Sequence, residues 1–518
     1  MEMGVSNMLT GYLLGVDVGT TSIKVAIINE KAQLLGMSSS SYKLITPDQD
    51  SVQIDTEDMW RAYLKCIRLL KIGKGIDLSK VVGISISSLC PGLAALDENG
   101  KVLVDPIIYS DRRSTEEAEI IKKAVGVDRL FEITANTAMA GAMSGTSMLW
   151  IKRNLPEAYE KTRYFGHVNT LMAKRMSGEF AIDYSNASYT NLFETTGGFK
   201  WSEELCEKTG IDIHKLPPLH ASTDVVGGLI DKDMIELGIP QGTPIIIGGG
   251  DTACATLAAG VTKAGDVCES VGTTNVLTIC VDEPKFDRGF INRCHVVDGK
   301  WIYQGALSHT GASYQWFRDN YYQEFLTGEI DPKYVFNLMN DDAAKAEPGS
   351  GGVVFLPYML GERSPIWDPY ARGVFFGISL HTGRKEMNRA IMEGCGYGLK
   401  QLADIAEKVT GREIKSFVSI GGGAKSTVWA QIKADITGKD IEILDMNDMA
   451  PIGAALLAGV GAHVFKDVYE AADMVERKVY KYIKSNHDYD EVYAKRYKVY
   501  TELYPKIKEL YKVGSNLY

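Results

Sequence analysis

The chain has 518 residues, of which 45% are hydrophobic and 24% are charged. This length and composition are typical of a globular protein with about three domains, or two large ones, and exclude a disordered chain or a small disulfide-held scaffold. Lys and Arg total 56 against 66 Asp and Glu, a formal net charge of −10 without a long basic stretch, which argues against nucleic acid as a partner.

Targeting and metal motifs are not expected. Met1–Gly4 has no basic region, and Asp17 interrupts the apolar run 12–18, so a signal peptide is not predicted. No run approaches the roughly 18 apolar residues of a membrane helix. The eight cysteines form no C-x-x-C pair, so we expect reduced thiols. These features predict a cytoplasmic protein with no membrane partner.

Apolar runs that end in glycine turns dominate the first half of the chain. Strands are predicted at 12–17 and 23–28 around a Gly/Thr turn, and a further run at 32–38 extends them into an antiparallel meander. Asp55 begins an apolar-periodic helix, and 81–86 follows as a buried strand. Strands that alternate with helices indicate an α/β class.

The strand-to-glycine pattern recurs in the second half. The strand 243–247 leads into Gly248–Asp251, the strand 267–271 leads into Gly272–Thr274, and 417–420 leads into Gly421–Ser426. The boundary between the halves is therefore expected soon after Asp251. The segment 488–510 places five tyrosines on one helical face, and Pro505 is predicted to kink or end that helix.

Four glycine turns suggest a bound nucleotide, because residues without bulky side chains let backbone N–H groups approach phosphate oxygens. Asp17 beside the first turn would repel phosphate unless a divalent cation such as Mg²⁺ lies between them. A structural hairpin explains that first turn equally well. Gly423–Ser426 lacks the glycine pattern of a P-loop, and no G-x-G-x-x-G follows a strand, so neither of those phosphate motifs is present.

Asp251 is the strongest candidate for catalysis. It follows three glycines at the end of an apolar strand, where a carboxylate could act as general base for attack of a hydroxyl on phosphorus. It could also simply cap the helix that begins at Thr252, and the two roles are compatible.

These features together resemble the FGGY family of carbohydrate kinases, within the actin and hexokinase superfamily. The resemblance runs from about Gly11 to His463, and its most specific part is Gly373–Ile378, followed after seven residues by Glu386–Glu393. It implies two ribonuclease-H-like domains, 11–257 and 258–480, around a cleft for ATP and substrate, with a helical segment at 481–518.

The resemblance also implies roles for individual residues. Asp251 would be the catalytic base and Asp17 would hold Mg²⁺ through water. The expected ATP-binding residues are Gly19, Thr20, Thr21, Lys24, Gly272, Thr273, Thr274, Gly311, Gly422, Gly423, Ala424 and Ser426.

The acceptor is harder to predict. Besides Asp251, the expected substrate contacts are Leu89, Cys90, Tyr109, Asp111 and Arg112. Tyr109 stands where the family usually has Trp. An aromatic face and a carboxylate suit a sugar, and we favour this interpretation of Tyr109 and Asp111 over a solvated surface ion pair.

The sequence thus predicts an ATP-dependent kinase for a hydroxyl of a ketopentose such as xylulose, with a homodimer allowed by the resemblance. Gluconate, a hexulose, a tetritol, glycerol and autoinducer-2 remain alternative acceptors. Two departures from the family pattern, Ser147 and Thr252, keep open a member that binds sugar without phosphorylating it. A nucleotide-dependent assembly module is the alternative from a different class.

Overall fold

A computed structural model describes residues 11–326, 331–446 and 448–514. The expectation for Met1–Gly4 lies outside the described residues. In the part of the chain that the structure describes, no helix combines the length and the apolar character needed to cross a bilayer. All eight cysteines are free thiols, as predicted, and seven of them are buried.

The described residues form short strands throughout the chain. The strands are β1 Tyr12–Val18, β2 Ser22–Ile28, β3 Leu34–Ser41, β4 Leu44–Ile45, β5 Gln53–Ile54, β6 Val81–Ser88, β7 Gly92–Leu96, β8 Val102–Ile108, β9 Tyr164–His167, β10 Ile182–Asp183, β11 Leu219–His220, β12 Val225–Gly228, β13 Pro244–Gly250, β14 Val267–Val271, β15 Asn275–Val281, β16 Ile291–Cys294, β17 Trp301–Leu307, β18 Val354–Leu356, β19 Val374–Phe376, β20 Ser416–Ile420, β21 Asp440–Leu444 and β22 Val479–Ile483.

Helices alternate with these strands, as an α/β class requires. The helices are α1 Thr56–Arg68, α2 Thr115–Val125, α3 Val127–Thr134, α4 Ser144–Asn154, α5 Pro156–Lys161, α6 Val168–Ser177, α7 Tyr184–Ala187, α8 Glu203–Thr209, α9 Lys232–Glu236, α10 Asp251–Ala258, α11 Thr310–Tyr321, α12 Pro332–Ala344, α13 Arg384–Thr410, α14 Thr427–Thr437, α15 Met449–Gly461, α16 Val468–Asp473 and α17 Asp490–Gly514. Asp55 caps α1 by accepting a hydrogen bond from the backbone N–H of Asp58, as predicted.

The chain divides into two compact units that are not continuous in sequence. The first unit contains residues 11–262 together with Asn292–Ile302 and Asp448–Glu476. The second unit contains the rest of the described chain.

The main sheet of the first unit has the strand order β12-β13-β6-β1-β2-β3. The strands β1, β2 and β3 form the antiparallel meander that the sequence predicted. β6 pairs in parallel with both β1 and β13. Three meander strands followed by parallel strands are the arrangement expected of a ribonuclease-H-like core.

The main sheet of the second unit has the same internal order, β17-β15-β14-β20-β21-β22. β14 pairs antiparallel with β15 and parallel with β20, and β20 pairs in parallel with β21. Two sheets of matching topology confirm the predicted fold class, a pair of ribonuclease-H-like domains of the actin type.

Alternate residues of β1 pack on opposite faces of the first sheet. Leu14 and Val16 belong to the apolar core that α1 and α6 close on one face. Gly15 faces α15 on the other side, where a Cβ would lie only 1.9 Å from the carbonyl oxygen of Pro451. This close packing needs glycine, and it fixes α15 against the strand that carries Asp17.

Pro505 lies inside α17 and does not end it, so of the two predicted outcomes the end of the helix is excluded and the kink stays a prediction. A proline inside a helix removes one backbone hydrogen bond and costs about 3 kcal/mol. Tyrosine hydroxyls anchor the helix on both sides of Pro505: Tyr504 of the predicted stripe donates to Asp368 at 2.8 Å, and Tyr511 donates to the carbonyl of Arg372 at 3.0 Å. These contacts, with buried Tyr493 and Tyr500, offset the lost hydrogen bond.

Candidate active site

The first unit gathers its candidate residues at the carboxyl ends of β1, β6 and β13. Because these strands are parallel, their carboxyl ends meet at one edge of the sheet, which is where open α/β sheets bind ligands. In the pairing register Ser87 lies opposite Asp17 on one side and Gly249 on the other. Asp251 follows the last residue of β13 directly and is the first residue of α10. The fold therefore brings together two carboxylates that are far apart in sequence.

Asp17 is almost fully buried, with 8% of its surface exposed. Its Oδ1 accepts a hydrogen bond of 2.8 Å from the Ser87 hydroxyl. Burial, followed by the negative charge of Asp251, raises the pKa of the Asp17 carboxyl from 3.8 to about 7. Two carboxylates that repel one another in this way form a site where a divalent cation with its waters and phosphate ligands is favourable.

The first glycine turn follows Asp17. The Gly19 amide donates to the Ser22 carbonyl at 3.0 Å, which closes the turn, and Thr21 within the turn is exposed. The Thr20 hydroxyl lies 3.2 Å from the Tyr109 hydroxyl. Lys24, expected near phosphate, forms a salt bridge with Asp448 just before α15. Gly19, Thr20 and Thr21 thus surround the end of β1, and Lys24 is held there by an acidic partner.

Thr252 orients Asp251. The Thr252 amide donates to Oδ1 of Asp251 at 2.5 Å, and the Thr252 hydroxyl donates to the same oxygen at 3.1 Å. Both bonds use Oδ1, so the half-buried carboxylate is fixed in one orientation while Thr252 makes no demand on Oδ2. The residue that departs from the family pattern therefore supports the side chain that precedes it.

A buried polar network supports the backbone just before Asp251, and sequence reasoning did not find it. The Gly250 amide donates to the Ser185 hydroxyl at 2.9 Å, and Ser185 in turn donates to the fully buried Asp183 carboxylate. Asn186 also donates to Asp183, at 2.6 Å. Beyond it lies His167, whose pKa burial lowers from 6.5 to about 4, so the ring is neutral at physiological pH.

The predicted acceptor residues have unlike environments. Leu89 is buried at the end of β6, and burial raises the pKa of the neighbouring Cys90 thiol well above its ordinary value. Tyr109 is 43% exposed and available to a ligand. Arg112 is exposed and donates to a backbone carbonyl at 2.7 Å.

Asp111 is fully buried, unlike these exposed neighbours. Its Oδ2 accepts from the Val52 amide at 2.7 Å and from Arg113 Nε at 2.9 Å. Its Oδ1 accepts from the Arg113 amide at 3.0 Å. A sugar hydroxyl would have to compete with these bonds, so the direct sugar contact of Asp111 stays a prediction.

The second unit gathers its glycine turns in the same way. β14 and β20 are parallel, so Gly272–Thr274 and Gly421–Gly423 emerge at one edge of the sheet. A Cβ on Gly421 would lie 2.5 Å from the Val271 carbonyl oxygen, and its φ of +95° also requires glycine. A Cβ on Gly311, at the start of α11, would lie 2.2 Å from the Gly272 carbonyl oxygen. Three turns thus meet at one place.

The side chains at these turns fit the predicted nucleotide contacts. Gly272, Thr273 and Gly422 are exposed, and no atom lies within 4 Å of a Cβ built on Gly422. Ala424 is buried beneath them. Ser426 caps α14, with its hydroxyl accepting from the Trp429 amide at 3.3 Å. Open backbone next to a helix start is suited to binding a flat ring and phosphate groups.

A buried ion pair joins the strands that carry these turns. Lys433 of α14 donates to both carboxylate oxygens of Glu269 on β14 at 2.7 Å, and both side chains are at most 2% exposed. Glu269 also accepts from Asn275 of β15 at 2.7 Å and from Ser419 of β20 at 2.9 Å. One carboxylate thus ties together the four elements around the glycine turns.

The described residues contain no group of three or more His, Cys, Asp or Glu side chains able to enclose a metal ion. A metal held by the protein alone is therefore not indicated in that part of the chain. Asp17 instead offers the single carboxylate with which proteins usually hold Mg²⁺ together with waters and phosphates. The donor set of the first unit fits Mg²⁺ that arrives with a nucleotide.

Comparison with known proteins agrees with this geometry. The chain is 29% identical over 503 residues to the xylulose kinase of Bacillus subtilis, covering 96% of this chain and 98% of the relative. It is 28% identical to the gluconokinase of the same organism, covering 90% and 91%. The crystal structure of xylulose kinase from Rhodospirillum rubrum matches with a TM-score of 0.89 at 23% identity, over 97% of this chain and 100% of that one.

Two family models account for most of the sequence. The N-terminal domain of the FGGY family of carbohydrate kinases matches residues 12–258, and the C-terminal domain of that family matches residues 268–462. Together with the two sheets and the residues gathered at their edges, these matches show that the chain belongs to the FGGY family of carbohydrate kinases and is an ATP-dependent kinase.

Proposed function

We propose that the chain transfers the γ-phosphoryl group of ATP to a terminal hydroxyl of a small open-chain sugar or sugar derivative, with Asp251 as the general base. The supporting observation is the position of Asp251 at the carboxyl edge of the first sheet, beside Asp17 and oriented by Thr252. In the reaction a bond forms between the acceptor oxygen and the γ-phosphorus, and the bond from that phosphorus to the β-phosphate oxygen breaks. ADP leaves, and the hydroxyl proton passes to Asp251.

Binding of the triphosphate is assigned to the glycine turns. In the second unit, Gly272, Thr273, Thr274 and Gly311 offer backbone N–H groups and hydroxyls, while Gly422, Gly423, Ala424 and Ser426 offer a surface for adenosine. In the first unit, Gly19, Thr20, Thr21 and Lys24 are the expected phosphate contacts. Phosphoryl transfer depends mainly on such positioning and charge stabilisation.

Asp17 is the residue proposed to hold Mg²⁺. When bound, Mg²⁺ neutralises phosphate charge and thereby favours attack on the γ-phosphorus. Asp17 must be ionised for this role, although its burial favours the protonated form. The Ser87 hydroxyl keeps Oδ1 oriented, so the carboxylate is fixed before the nucleotide arrives.

The acceptor class is the open part of the proposal. The resemblance favours a ketopentose such as xylulose, and relatives named xylulose kinase and gluconokinase match at 29% and 28% identity. Those two acceptors have a terminal hydroxyl in common and differ in whether the other end carries a carboxylate. Exposed Tyr109 offers an aromatic face for the C–H groups of either one.

An acceptor panel with an ADP assay tests the proposal. We expect acceptor-dependent ADP release with at least one ketose, polyol or aldonate in the presence of ATP and Mg²⁺. The variant Asp251→Asn should lower kcat at least 10²-fold while nucleotide binding persists, because general-base catalysis typically contributes 10² to 10⁴-fold.

The control variant is Asp77→Asn, which replaces an exposed aspartate that begins a single helical turn elsewhere in the first unit and should leave kcat unchanged. An unchanged kcat in Asp251→Asn would remove Asp251 from the base role. ADP release that does not depend on any acceptor would instead indicate a nucleotide-driven binding or assembly module.

A further inference from the structure

Arg293 of β16 is a buried cation, and the edge of its guanidinium formed by Nε and Nη2 has no hydrogen-bond partner among the described residues. Only 1% of the residue is exposed, and both of these atoms are buried. A buried donor without a partner costs free energy, and the cost is larger for a charged group. Such an edge indicates a site that is completed by a ligand.

The guanidinium lies beside the proposed base. A Cβ built on Gly250, the residue before Asp251, would be 2.9 Å from Arg293 Nη1 and 3.6 Å from the Cβ of Cys90. The cation also lies over the ring of Tyr189, 5.2 Å from its centroid. All these residues belong to the first unit. Arg293 therefore borders the same strand end that presents Asp251 and the loop that carries Cys90.

The neighbouring carboxylates do not occupy this edge. Asp183 is close enough to interact electrostatically with Arg293, but its oxygens accept hydrogen bonds from Asn169, Ser185 and Asn186. Asp251 also interacts with Arg293 through charge, while its Oδ1 is used by Thr252. The two acidic neighbours thus favour the cation electrostatically, and its Nε–H and Nη2–H remain without a hydrogen-bond acceptor among the described residues.

Elsewhere in this chain the same two atoms bind carboxylates. Arg113 places Nε 2.9 Å and Nη2 2.8 Å from Oδ2 of Asp111. Arg129 places Nε 3.1 Å and Nη2 2.6 Å from the two carboxylate oxygens of Glu204. The edge formed by Nε and Nη2 matches the spacing of the two oxygens of a carboxylate.

We propose that Arg293 binds the carboxylate of an acyclic sugar acid in the acceptor site, so that the preferred acceptor is an aldonate and the neutral ketopentose is disfavoured. This inference rests on the proposed function, because it assigns the substrate class of that same site. The carboxylate completes the hydrogen bonds of Arg293, while the hydroxyl end of the acceptor is the part presented to Asp251.

Discrimination follows from the same burial. A neutral acceptor leaves the buried Nε–H and Nη2–H groups without a carboxylate to accept their hydrogen bonds, and sites built to pair a buried polar group reject analogues that lack it by large factors. We expect kcat/KM at least 100-fold higher for an aldonate than for the polyol or ketose of equal carbon number. A sugar phosphate presents a tetrahedral group with a different charge and serves as the test of carboxylate preference.

The experiment measures ADP release for matched sets of four- to six-carbon aldonates, polyols, ketoses and sugar phosphates. The full-length wild-type chain is compared with the variants Arg293→Met and Arg293→Lys, and Arg61→Met on the exposed face of α1 is the control. Arg293→Met should lower kcat/KM for the aldonate at least 100-fold, mainly through KM, and change it less than threefold for neutral acceptors. Arg293→Lys keeps the charge without the planar edge, so its kcat/KM for the aldonate should lie between the values of wild type and Arg293→Met.

Calorimetric titration of the aldonate, without ATP, separates this inference from the proposed function. If no acceptor releases ADP but wild-type protein binds the aldonate and Arg293→Met does not, the proposed function fails and the inference holds. If ADP is released best with a ketose, a polyol or a sugar phosphate, the inference fails and the kinase function holds. An equal loss of kcat/KM for acidic and neutral acceptors in Arg293→Met would also overturn the inference. If the variants do not fold, the acceptor preference of the wild-type protein alone decides whether the inference holds.

Discussion

Replacing Asp17 by Asn should make the nucleotide-free protein more stable and the enzyme much less active. In the folded protein burial and the charge of Asp251 raise the pKa of Asp17 from 3.8 to about 7. The folded state therefore binds this proton more tightly than the unfolded state does, and stability falls as pH rises from about 4 to about 7. Above pH 7 the carboxyl is ionised in both states, and the penalty on folding stays constant.

The size of the effect follows from those two values. Their difference corresponds to a penalty of about 4 kcal/mol at pH 8, since one pKa unit is about 1.4 kcal/mol. Asparagine carries no charge and retains an oxygen that can accept the bond from the Ser87 hydroxyl. The variant Asp17→Asn should thus gain up to about 4 kcal/mol at pH 8 and less than about 2 kcal/mol at pH 5.

Urea unfolding of wild type and variant at pH 5, 6, 7 and 8 without nucleotide measures this gain. The matched control is Asp77→Asn, because hydrogen bonds from Ser79 lower the pKa of exposed Asp77 below 3.8, so the variant should show a small loss of stability that stays the same from pH 5 to pH 8. Turnover of Asp17→Asn with ATP and Mg²⁺ should fall at least 10²-fold, since asparagine cannot supply the negative charge. A variant that is less stable than wild type at pH 8, or a gain that does not change with pH, would refute this account of Asp17.

Three further substitutions test other contacts. Lys433→Met leaves Glu269 buried without its cation and should cost about 3 to 5 kcal/mol in urea unfolding. Adding Glu269→Gln to Lys433→Met should recover a large part of the lost unfolding free energy. If the losses of the two single variants simply add in the double variant, the pairing is contradicted. Thr252→Val removes one hydrogen bond to the base, about 1 kcal/mol, and should lower kcat roughly fivefold with rescue by Thr252→Ser; no rescue would contradict the orienting role. Tyr109→Ala should raise the acceptor KM about tenfold with an unchanged ATP KM, whereas a changed ATP KM would contradict the acceptor role.

The positions of the glycine turns could be predicted from sequence because their determinants are local. An apolar run that ends in glycine, as at Gly15–Gly19 or Gly421–Gly423, fixes a strand, a turn and their order along the chain. The parallel pairing of β1, β6 and β13 then places Asp17 and Asp251 at one edge. The sequence therefore predicted both carboxylates and the family, and the family models and the two sheets confirmed the family and the fold class.

Other parts of the site depend on contacts that no local pattern encodes. Lys24 pairs with Asp448 across 424 positions, and neither neighbourhood indicates the other. Arg293 lies in an ordinary strand, and the missing partners of its Nε and Nη2 atoms become evident only in the folded chain. Propensity is local and predicts that Pro505 kinks or ends its helix, whereas the tyrosine contacts that hold α17 on both sides of Pro505 come from distant residues.

The return of α15 to the first unit has a consequence for synthesis on the ribosome. Gly15 and Gly83 are flush against Pro451 and Ala458 of this helix, so the first sheet lacks one of its covering layers until the chain is nearly finished. A nascent chain that has passed Thr262 still exposes that apolar face to water. Maturation of the amino-terminal unit must therefore await translation of the 448–476 segment, and a fragment cut at 262 is expected to aggregate unless that segment is supplied separately.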